Sequence, residues 1–526
     1  DFTITAIIAV LKDNALDEYI ISEIENLIKE TPGEEETVIG GLPFIRGSVS
    51  RNIQTDMGRL MPIGLLIMLI FLFVCFKQLR GVLLPFFVVI MFIIFSFGII
   101  PLLGWKIQVI TVILPVILLA IANDYGIHMI AKYQEENIPG NKLTKKELAK
   151  KIFNSLGKPV LITGLTTIAG MLCLLGHAIV PAKQLGILAA SGIAFALFAS
   201  LFFIPAIISL LPKSKPVFFF ENTNRKSFLE YLLLFFGDQV SKHPKRAITG
   251  VIIFAALSSI GIFSIVVDTD PKNYFLHNHP VVYATNLVNR NLGGSQNLSL
   301  VYKGEVKDSR MMHKINSMEQ TLQELPEVGN TTSVARVIRQ MSRALNDPDE
   351  VGYDRIPDAE NAVAQYFELY AMSGDAEDFE KLVDFPYEHA VITARINTTS
   401  TAKLSKVVNK INNMTKNDPD ILLIGGFGLV LSDLAKLIIN GQFLTFCLAV
   451  IIVALLIMIS FRSIIAGLIS AIPLILSMAI LFGLMGLFGI ELNMVTALLS
   501  SIMIGVGIDY TIHFLWRYRE ERQNGL

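Results

Sequence analysis

The sequence predicts a membrane all-α bundle, built as two pseudo-symmetric halves, with two α+β domains outside the bilayer. The chain has 526 residues, of which 52% are hydrophobic and only 17% are charged, whereas roughly 25% of a soluble domain is charged. Several uninterrupted apolar runs reach the ~20 residues that a helix needs to cross ~30 Å of hydrocarbon. One polar stretch, beginning at Asp124, recurs from Asp509 in the same order (509 − 124 = 385). A duplication on this scale predicts two equivalent bundles.

Composition argues against several classes of protein. The formal net charge of −1 argues against nucleic acid as a partner. The three cysteines, Cys75, Cys173 and Cys447, all lie within apolar runs, so no disulfide is expected in the soluble parts. Neither a Walker motif nor a Gly-x-Ser-x-Gly motif occurs in the sequence, which argues against ATP hydrolysis and acyl transfer. Because no signal peptide precedes Asp1, we expect the sequence to begin within a longer protein.

The polarity pattern divides the chain into segments of two kinds. Two segments are water-soluble in character: a partial first periplasmic α+β domain at 1–58, and a second periplasmic α+β domain at 268–438 with a helical insert. The others are transmembrane helices 2–6 at 59–212, a cytoplasmic amphipathic linker at 213–245, helix 7 at 246–267, helices 8–10 at 439–516, and the cytoplasmic end of the fragment at 517–526. Basic residues accumulate in the short connections, and the positive-inside rule therefore puts both soluble domains outside the cytoplasm.

Alternation and helical periodicity predict the elements of the soluble domains. In the first domain, strands are expected at 2–11 and 37–39, on either side of a helix at 14–29. In the second domain, the predicted elements are strands at 297–302 and 390–396, an extended segment at 421–424, helices at 309–325 and 400–415, and a helical insert at about 334–383.

Nine apolar segments are predicted to span the bilayer. They are residues 62–76, 82–103, 107–132, 159–176, 183–211, 247–267, 443–460, 465–488 and 492–516. Each half follows one plan: a soluble domain, a helix, a short basic turn, a second helix, another turn, and a helix that carries Asp-Tyr. Completing this plan requires one helix before residue 1 and two helices after Leu526, so the complete protein is expected to contain twelve.

The repeated stretch carries the candidate site. Its two copies share an acid, a phenol and an imidazole, and they are Asp124, Tyr125 and His128 with Asp509, Tyr510 and His513. On a helix, the Asp and the His of one copy are four residues apart and share a face. A bilayer makes such groups costly, so a functional role is expected. Burial in a low-dielectric medium favours the neutral carboxyl, which lets each Asp take up a proton. Each histidine lies one turn, ~6 Å, nearer the cytoplasm, where it is predicted to serve as a proton outlet.

Other residues near the repeated stretch each have two possible roles. Thr166 and Thr167 either lie on a polar path for protons or satisfy backbone carbonyls of their own helix. Gln108 and Asn493 belong to the same polar path or cap and bridge helices. Three small residues precede the two Asp residues on their helices: Ala120, Gly505 and Gly507. They are predicted to permit close helix packing. For the Asp residues themselves, the structural alternative is hydrogen bonding across helices.

Several motifs resemble those of one family. Residues 505–510 (Gly-Val-Gly-Ile-Asp-Tyr) and 120–125, in which Ala120 replaces the first glycine, resemble the GxxxDY signature of the tenth and fourth helices. That signature is found in the RND superfamily, in its MmpL-like and hopanoid-exporter-like branch. Residues 161–170 and 364–375 are similar to further segments of the group. The resemblance extends over essentially the whole sequence.

The resemblance implies a function. It implies a secondary transporter rather than an enzyme, located in the cell inner membrane, coupled to protons and using no other cofactor. It also implies that the Asp of each helix pairs with the Tyr of the other helix and carries protons. The implied cargo is hydrophobic or amphipathic, with lipids favoured. A homo-oligomer or a periplasmic partner remains open.

Three alternatives stay open at this point. A SecDF-like protein would use an intramembrane Asp to drive polypeptide export. A Patched-like sterol carrier or sensor shares the GxxxD theme, but its outer domains usually contain disulfides, which are not expected here. The two Asp-x-x-x-His pairs also supply four potential ligands for a transition metal. Because neither a pair of methionines nor a Cys accompanies those positions, we predict no metal site.

Overall fold

The computed structural model describes residues 4–9, 11, 16–108, 111, 114–137, 143–213, 228–373 and 379–523, most of which are helical. The α-helices are α1 (Asp17–Glu30), α2 (Leu42–Phe76), α3 (Leu79–Leu102), α4 (Leu114–Glu136), α5 (Lys145–Leu172), α6 (Val180–Phe198), α7 (Ile204–Leu210), α8 (Phe228–Lys242), α9 (Pro244–Ser259), α10 (Pro280–Asn291), α11 (Ser309–Gln323), α12 (Val334–Leu345), α13 (Glu360–Ser373), α14 (Thr401–Thr415), α15 (Phe427–Phe461), α16 (Ile464–Leu487) and α17 (Met494–Gln523). The strands are β1 (Gln296–Lys303), β2 (Val328–Thr332), β3 (His389–Ile396) and β4 (Ile421–Gly425).

The chain folds into two compact units, each assembled from two stretches of sequence. One unit, here called the soluble unit, comprises Asp1–Arg51 and Val267–Lys436. The other, here called the membrane unit, comprises Asn52–Val266 and Leu437–Leu526.

Eight helices among the described residues are long and apolar enough to cross a membrane. They are Leu42–Phe76, Leu79–Leu102, Lys145–Gly176, Val180–Leu210, Pro244–Ser264, Phe427–Phe461, Ile464–Leu487 and Met494–Arg522. The chain is therefore a multi-pass membrane protein. The ninth predicted span, 107–132, corresponds to α4 and is not one of the eight, but residues 109–110 and 112–113 of that span lie outside the described residues. Helix α4 packs against α3, α5 and α6.

The internal repeat is confirmed in the bounds of the helices. Helix α15 begins and ends 385 residues after α2 (427 − 42 = 385; 461 − 76 = 385), and α16 follows α3 at the same offset (464 − 79 = 385). The turns between these helices also correspond, because Lys77 and Arg462 have left-handed φ angles of 51° and 52°. Both halves therefore place a non-glycine residue in a conformation that L-residues rarely adopt.

Helices α2, α5 and α15 begin well before their predicted apolar runs. They begin at Leu42, Lys145 and Phe427, which is 20, 14 and 16 residues before the runs predicted at 62–76, 159–176 and 443–460. The runs mark where apolar composition starts, whereas the helices extend back through more polar sequence. Pro62 lies inside α2, where neighbouring groups can satisfy the freed carbonyl. The predicted span at 183–211 is divided into α6 and α7 by a π-turn at Ala199–Phe203.

Glycines allow α16 to pack closely against the end of α9 and the 3₁₀ turn that follows it. A Cβ atom at Gly483 would overlap the carbonyl of Ser258, and one at Gly486 would overlap the carbonyl of Gly261. A Cβ atom at Gly261 would in turn overlap the carbonyl of Gly483. Such backbone contact is a common way for helices to associate in lipid, where no hydrophobic driving force acts between them.

We expect Gly483→Ala to destabilise the protein by about 1–3 kcal/mol, because a methyl group at this position must displace backbone. Gly250→Ala in α9 is the matched control, since a Cβ atom there meets nothing within 4 Å. It should be neutral or stabilising by up to about 1 kcal/mol. Thermal unfolding of the purified protein in detergent measures both changes. Equal unfolding temperatures for the two variants would contradict this packing.

The soluble unit contains a four-stranded antiparallel sheet with strand order β2-β3-β1-β4. Alternate residues of the central strands point into one core, which includes Leu298, Leu300 and Ile392. Helices α11 and α14 cover this face with Met312, Ile315 and other buried residues. The predicted strands at 297–302 and 390–396 and the helices at 309–325 and 400–415 are confirmed to within three residues at each end.

Two predicted strands of the first soluble segment are wrong. Residues 4–9 and 36–40 are not in strands, although the intervening helix is present as α1. A strand is stable only with a partner, and the four strands of the sheet all come from residues 296–425. The segment instead packs through Phe44, Ile45 and Val49 at the start of α2, which contact Val281 and Val282 of α10. Strand β2 and helix α10 were not predicted.

Candidate functional site

Helices α4 and α17 bring parts of the two repeated stretches into contact within the membrane unit. The imidazole rings of His128 and His513 stack with their centroids 4.0 Å apart and their planes at 22°. Nε2 of His128 lies 3.5 Å from Oδ1 of Asp124, one turn earlier on the same helix. The i, i+4 spacing therefore places the acid and the imidazole on one face, as predicted, and the fold adds the second imidazole.

The second acid, Asp509, is buried, with 2% of its surface exposed. Oγ1 of Thr167, on α5, lies 3.0 Å from Oδ1 of Asp509. The approach is possible because α5 and α17 meet at Gly170 and Gly505, where a Cβ atom on Gly170 would lie 3.3 Å from Cα of Gly505. The prediction that Gly505 permits close packing is consistent with this contact.

The hydroxyl of Thr167 has more acceptors around it than it has hydrogens. Besides Asp509, Oγ1 lies 2.9 Å from the carbonyl oxygen of Thr163 and 3.0 Å from the carbonyl oxygen of Gly505. A hydroxyl donates one hydrogen and accepts at its lone pairs. A protonated Asp509 would donate to Thr167, which then donates to a carbonyl. An ionised Asp509 would compete with both carbonyls for that single hydrogen. The observed distances therefore accommodate a neutral Asp509.

The two tyrosines have unlike environments. Tyr125 is completely buried, and its hydroxyl has no hydrogen-bond partner among the described residues. Tyr510 is 71% exposed. The expectation that the Asp of each helix pairs with the Tyr of the other helix stays a prediction, and of the two tyrosines only Tyr125 is buried. The residues around each tyrosine in the sequence cannot reveal this difference in exposure, because exposure depends on which other helices cover each face.

The remaining predicted residues separate into those near the site and those away from it. Within the described part of the chain, Thr166 bonds only to the carbonyls of Ile162 and Thr163 on its own helix. Gln108 donates to the side-chain oxygen of Gln184 at 3.1 Å, and the Asn493 side chain accepts from the N–H groups of Val495 and Thr496 at the start of α17. These contacts are of the bridging and capping kind. A Cβ atom on Gly507 would make only ordinary contact, at 3.6 Å from Leu474. The side chain of Ala120 lies outside the described part of the structure.

Two features of the site were not predicted. Gly170 lies in the segment that resembles a family motif, but its partner on α17 could not be read from the sequence. Gly126, directly after Tyr125, packs on Pro85 of α3, where a Cβ atom would come within 2.9 Å of the proline ring. Because the second copy has Thr511 at this position, comparing the two copies does not single out Gly126.

Three potential metal ligands converge at the site. Within the described part of the chain, ligand atoms of Asp124, His128 and His513 lie within 4.8 Å of one another. Asp509, the fourth ligand considered from the sequence, is not in this group. A metal ion lies close to the plane of each imidazole that binds it, and two nearly parallel stacked rings do not share such a position. Coordination by both histidines would therefore require at least one ring to rotate.

The fold and the site together define a multi-pass membrane protein with a polar cluster between two of its helices. The sequence matches the MMPL family over residues 4–246 and 306–526. The chain therefore belongs to the MMPL family, whose members are membrane transporters of the RND superfamily. The resemblance predicted from the two Asp-Tyr motifs is confirmed.

Known proteins similar to the chain are consistent with this assignment. A protein of Methanocaldococcus jannaschii, named as a membrane protein, is 22% identical over 294 residues, which are 52% of this chain and 71% of that protein. The fold is similar to the crystal structure of SecDF, a translocon-associated membrane protein from Thermus thermophilus (TM-score 0.52, 14% identity, 91% of this chain). It is also similar to the structure of the hedgehog release protein Disp from the water bear Hypsibius dujardini (TM-score 0.53, 12% identity, 89% of this chain). The chain spans 53% and 61% of the length of these two structures.

The pair Thr166 and Thr167 provides a test of the site. We expect Thr167→Val to destabilise the protein by about 1 kcal/mol, because valine keeps the volume and removes the hydroxyl that contacts Asp509. Thr166→Val is the matched control, and it should change stability by no more than about 0.5 kcal/mol, because that hydroxyl bonds only within its helix. Thermal unfolding in detergent measures both effects. A larger loss for Thr166→Val than for Thr167→Val would contradict the described contact.

Proposed function

We propose that the protein is a proton-driven exporter of hydrophobic or amphipathic molecules, and that Asp509, Asp124 and Tyr125 belong to its proton relay. The observation that carries the proposal is the buried Asp509 carboxyl, whose contacts with Thr167 suit a neutral acid. Among the described residues, no Lys or Arg forms an ion pair with Asp509. Burying an unpaired carboxylate costs free energy. Ionisation of Asp509 therefore has to be accompanied by a change in its surroundings.

The histidine pair would connect this acid to the other half of the relay. Each histidine lies one turn from the Asp of its own helix, and the two rings are in contact with each other. Two imidazolium ions at this separation repel one another, so the pair favours carrying one proton at a time. Nε2 of His128 lies 3.5 Å from Oδ1 of Asp124, which connects the pair to that acid. Passage of a proton through the pair therefore alters the attraction between α4 and α17.

The coupling to transport would follow from the cost of buried charge. Protonation of Asp509 removes a charge from the bundle, whereas its release restores one. A conformation that admits water to the carboxyl is stabilised by ionisation, and a closed conformation is stabilised by protonation. Alternation between two such conformations is what a proton-coupled transporter requires.

The complete protein would have twelve membrane helices and two porter-like periplasmic domains in the inner membrane. The repeat supports this proposal, because α2 and α3 recur as α15 and α16 at one offset. Two helices continuing the repeat after α17 would correspond to α5 and α6. Such helices would supply Asp124 with a counterpart of Thr167 and would cover Tyr510, which is exposed in the present chain. A homo-oligomer or a periplasmic partner is compatible with this arrangement.

Lipids are the proposed cargo, on the basis of the family to which the chain belongs. A polypeptide is the second candidate, because the two similar structures are named as translocon-associated and as a hedgehog release protein. A sterol is a further candidate through the Patched-like relatives, although the three cysteines of this chain all lie in helices of the membrane unit. Protons would be the only coupling ion, and no other cofactor is proposed.

We expect Asp509→Asn and Asp124→Asn to abolish proton-driven transport, because asparagine is similar in shape to the acid but carries no exchangeable charge. Lipid movement in vesicles containing the full-length protein, with an imposed pH gradient, measures this. Each variant should fall to the rate that wild type shows after the gradient is collapsed. Asp358→Asn is the control, since Asp358 is fully exposed in the soluble unit.

Transport that persists in both variants, or that is indifferent to the gradient, would exclude the relay. Wild-type transport lost on adding a metal chelator would favour the metal alternative. A labelled unfolded polypeptide and a sterol, offered in place of the lipid, would identify the cargo class.

Tyrosine variants test the relay without removing a hydrogen bond. The Tyr125 hydroxyl has no partner among the described residues, so we expect Tyr125→Phe to change stability by less than about 1 kcal/mol. Its proton-driven transport should nevertheless fall, because the buried hydroxyl can no longer pass a proton. Tyr510→Phe is the matched variant for the exposed copy, and comparison of the two rates shows which tyrosine takes part. Full transport by Tyr125→Phe would remove Tyr125 from the relay.

A further inference from the structure

The soluble unit contains a polar cleft of about 430 Å³ that the proposed relay does not use. Its lining consists of cationic, amide and hydroxyl side chains, without an acidic one: Lys272, Asn286, Asn289, Arg290, Asn397, Thr398 and Thr399. All seven residues belong to the soluble unit. The cleft is described here as the Arg290 cleft.

Three segments form the Arg290 cleft, one of which is the 3₁₀ turn Pro271–Tyr274 that carries Lys272. Helix α10 contributes Asn286, Asn289 and Arg290, which are spaced i, i+3 and i+4 and therefore share one face. The other wall is the short loop 397–399 between β3 and α14. Asn397 anchors this loop, because its side chain donates to the carbonyl of Pro326 and its backbone N–H donates to the carbonyl of Glu327.

The carboxylates near the cleft pair with groups other than Arg290. Lys272 lies 3.5 Å from the buried carboxylate of Asp270. Asp268 accepts hydrogen bonds from the N–H and hydroxyl of Thr401, at the start of α14, and is thus satisfied by the helix end. In the described part of the chain, no carboxylate forms an ion pair with Arg290, which is exposed at the last turn of α10. The positive charge of Arg290 is therefore not paired with a carboxylate of the described residues.

Two hydrogen-bond donors of the cleft have no acceptor among the described residues. Oδ1 of Asn289 accepts from the N–H of Ser295 at 2.8 Å, which leaves its amide NH₂ group to donate. The Thr399 side chain is 3% exposed, and its hydroxyl has no partner among the residues described. A buried hydroxyl without a partner loses free energy relative to one in water. A ligand oxygen in the cleft would recover that loss.

We propose that the Arg290 cleft binds a phosphate group. A guanidinium, an ammonium, an amide and a hydroxyl are donors that suit the several oxygens of such an anion. The phosphate could be the headgroup of a lipid or a free phosphate, and the chemistry of the cleft is the same for both. The assignment to a lipid headgroup rests on the proposed function, whereas the assignment to phosphate rests on the cleft alone.

Binding to the full-length protein in detergent tests the proposal with three probes. The probes are inorganic phosphate, dihexanoyl phosphatidic acid and dihexanoylglycerol, which has the same acyl chains and no phosphate. Titration calorimetry should show binding of the first two and none of the third. Arg290→Gln should weaken both by at least about tenfold, because a charge-assisted hydrogen bond is lost.

Two further variants separate binding from folding. Thr399→Val should weaken phosphate binding about threefold or more while leaving the unfolding temperature unchanged or higher, because the hydroxyl has no partner to lose. Arg310→Gln is the control, since Arg310 is an exposed arginine elsewhere in the soluble unit. It should bind like wild type.

The outcomes are distinct. Binding of inorganic phosphate without binding of phosphatidic acid would uphold the phosphate site and overturn the lipid source. Absence of binding by both, equal affinities for wild type and Arg290→Gln, or equal binding of dihexanoylglycerol would overturn the site. Asp509→Asn should bind all probes like wild type, so a failed relay and a failed cleft would be told apart.

Discussion

The contact between Thr167 and Asp509 is the interaction on which the proposed chemistry of the membrane unit depends. It exists because Gly170 and Gly505 let two helices approach until their backbones almost touch. A Cβ atom on Gly170 would lie 3.3 Å from Cα of Gly505, so a larger residue there must shift the two helices apart at the point where the hydroxyl meets the carboxyl. Close packing and hydrogen bonding are therefore one constraint here, as is common where lipid supplies no water to polar groups.

The two halves of the chain share a backbone plan but do not share an environment. Asp509 is buried against α5, whereas Asp124 is partly exposed and lies near His128. The tyrosines differ in the opposite sense, because Tyr125 of the first copy is buried and Tyr510 of the second copy is exposed. Repetition of sequence thus yields equivalent helices, while the helices around them make the sites unequal. An unequal pair of acids suits a cycle in which one proton moves between two unlike positions.

The soluble unit is stabilised differently from the membrane unit. Its antiparallel sheet buries one face against α11 and α14, as expected when apolar residues alternate along strands. The loop that leaves β3 then carries a buried hydroxyl, Thr399, beside the cationic end of α10. Polar groups without partners are rare in well-packed units. Here the Thr399 hydroxyl lies in the same cleft as Arg290, which forms no ion pair within the described ranges.

The sequence by itself determined the membrane class, the repeat and most helices and strands, because hydropathy, helical period and internal offset are local or pairwise properties of the chain. It also singled out both Asp-Tyr-x-x-His stretches. It could not distinguish Thr166 from Thr167, or Tyr125 from Tyr510, since adjacent or repeated residues differ only in what covers them. It likewise placed strands at 2–11 and 37–39, whereas the described residues 4–9 and 36–40 are not in strands. Only the tertiary structure decided those points, because burial and hydrogen bonding depend on neighbours far along the chain.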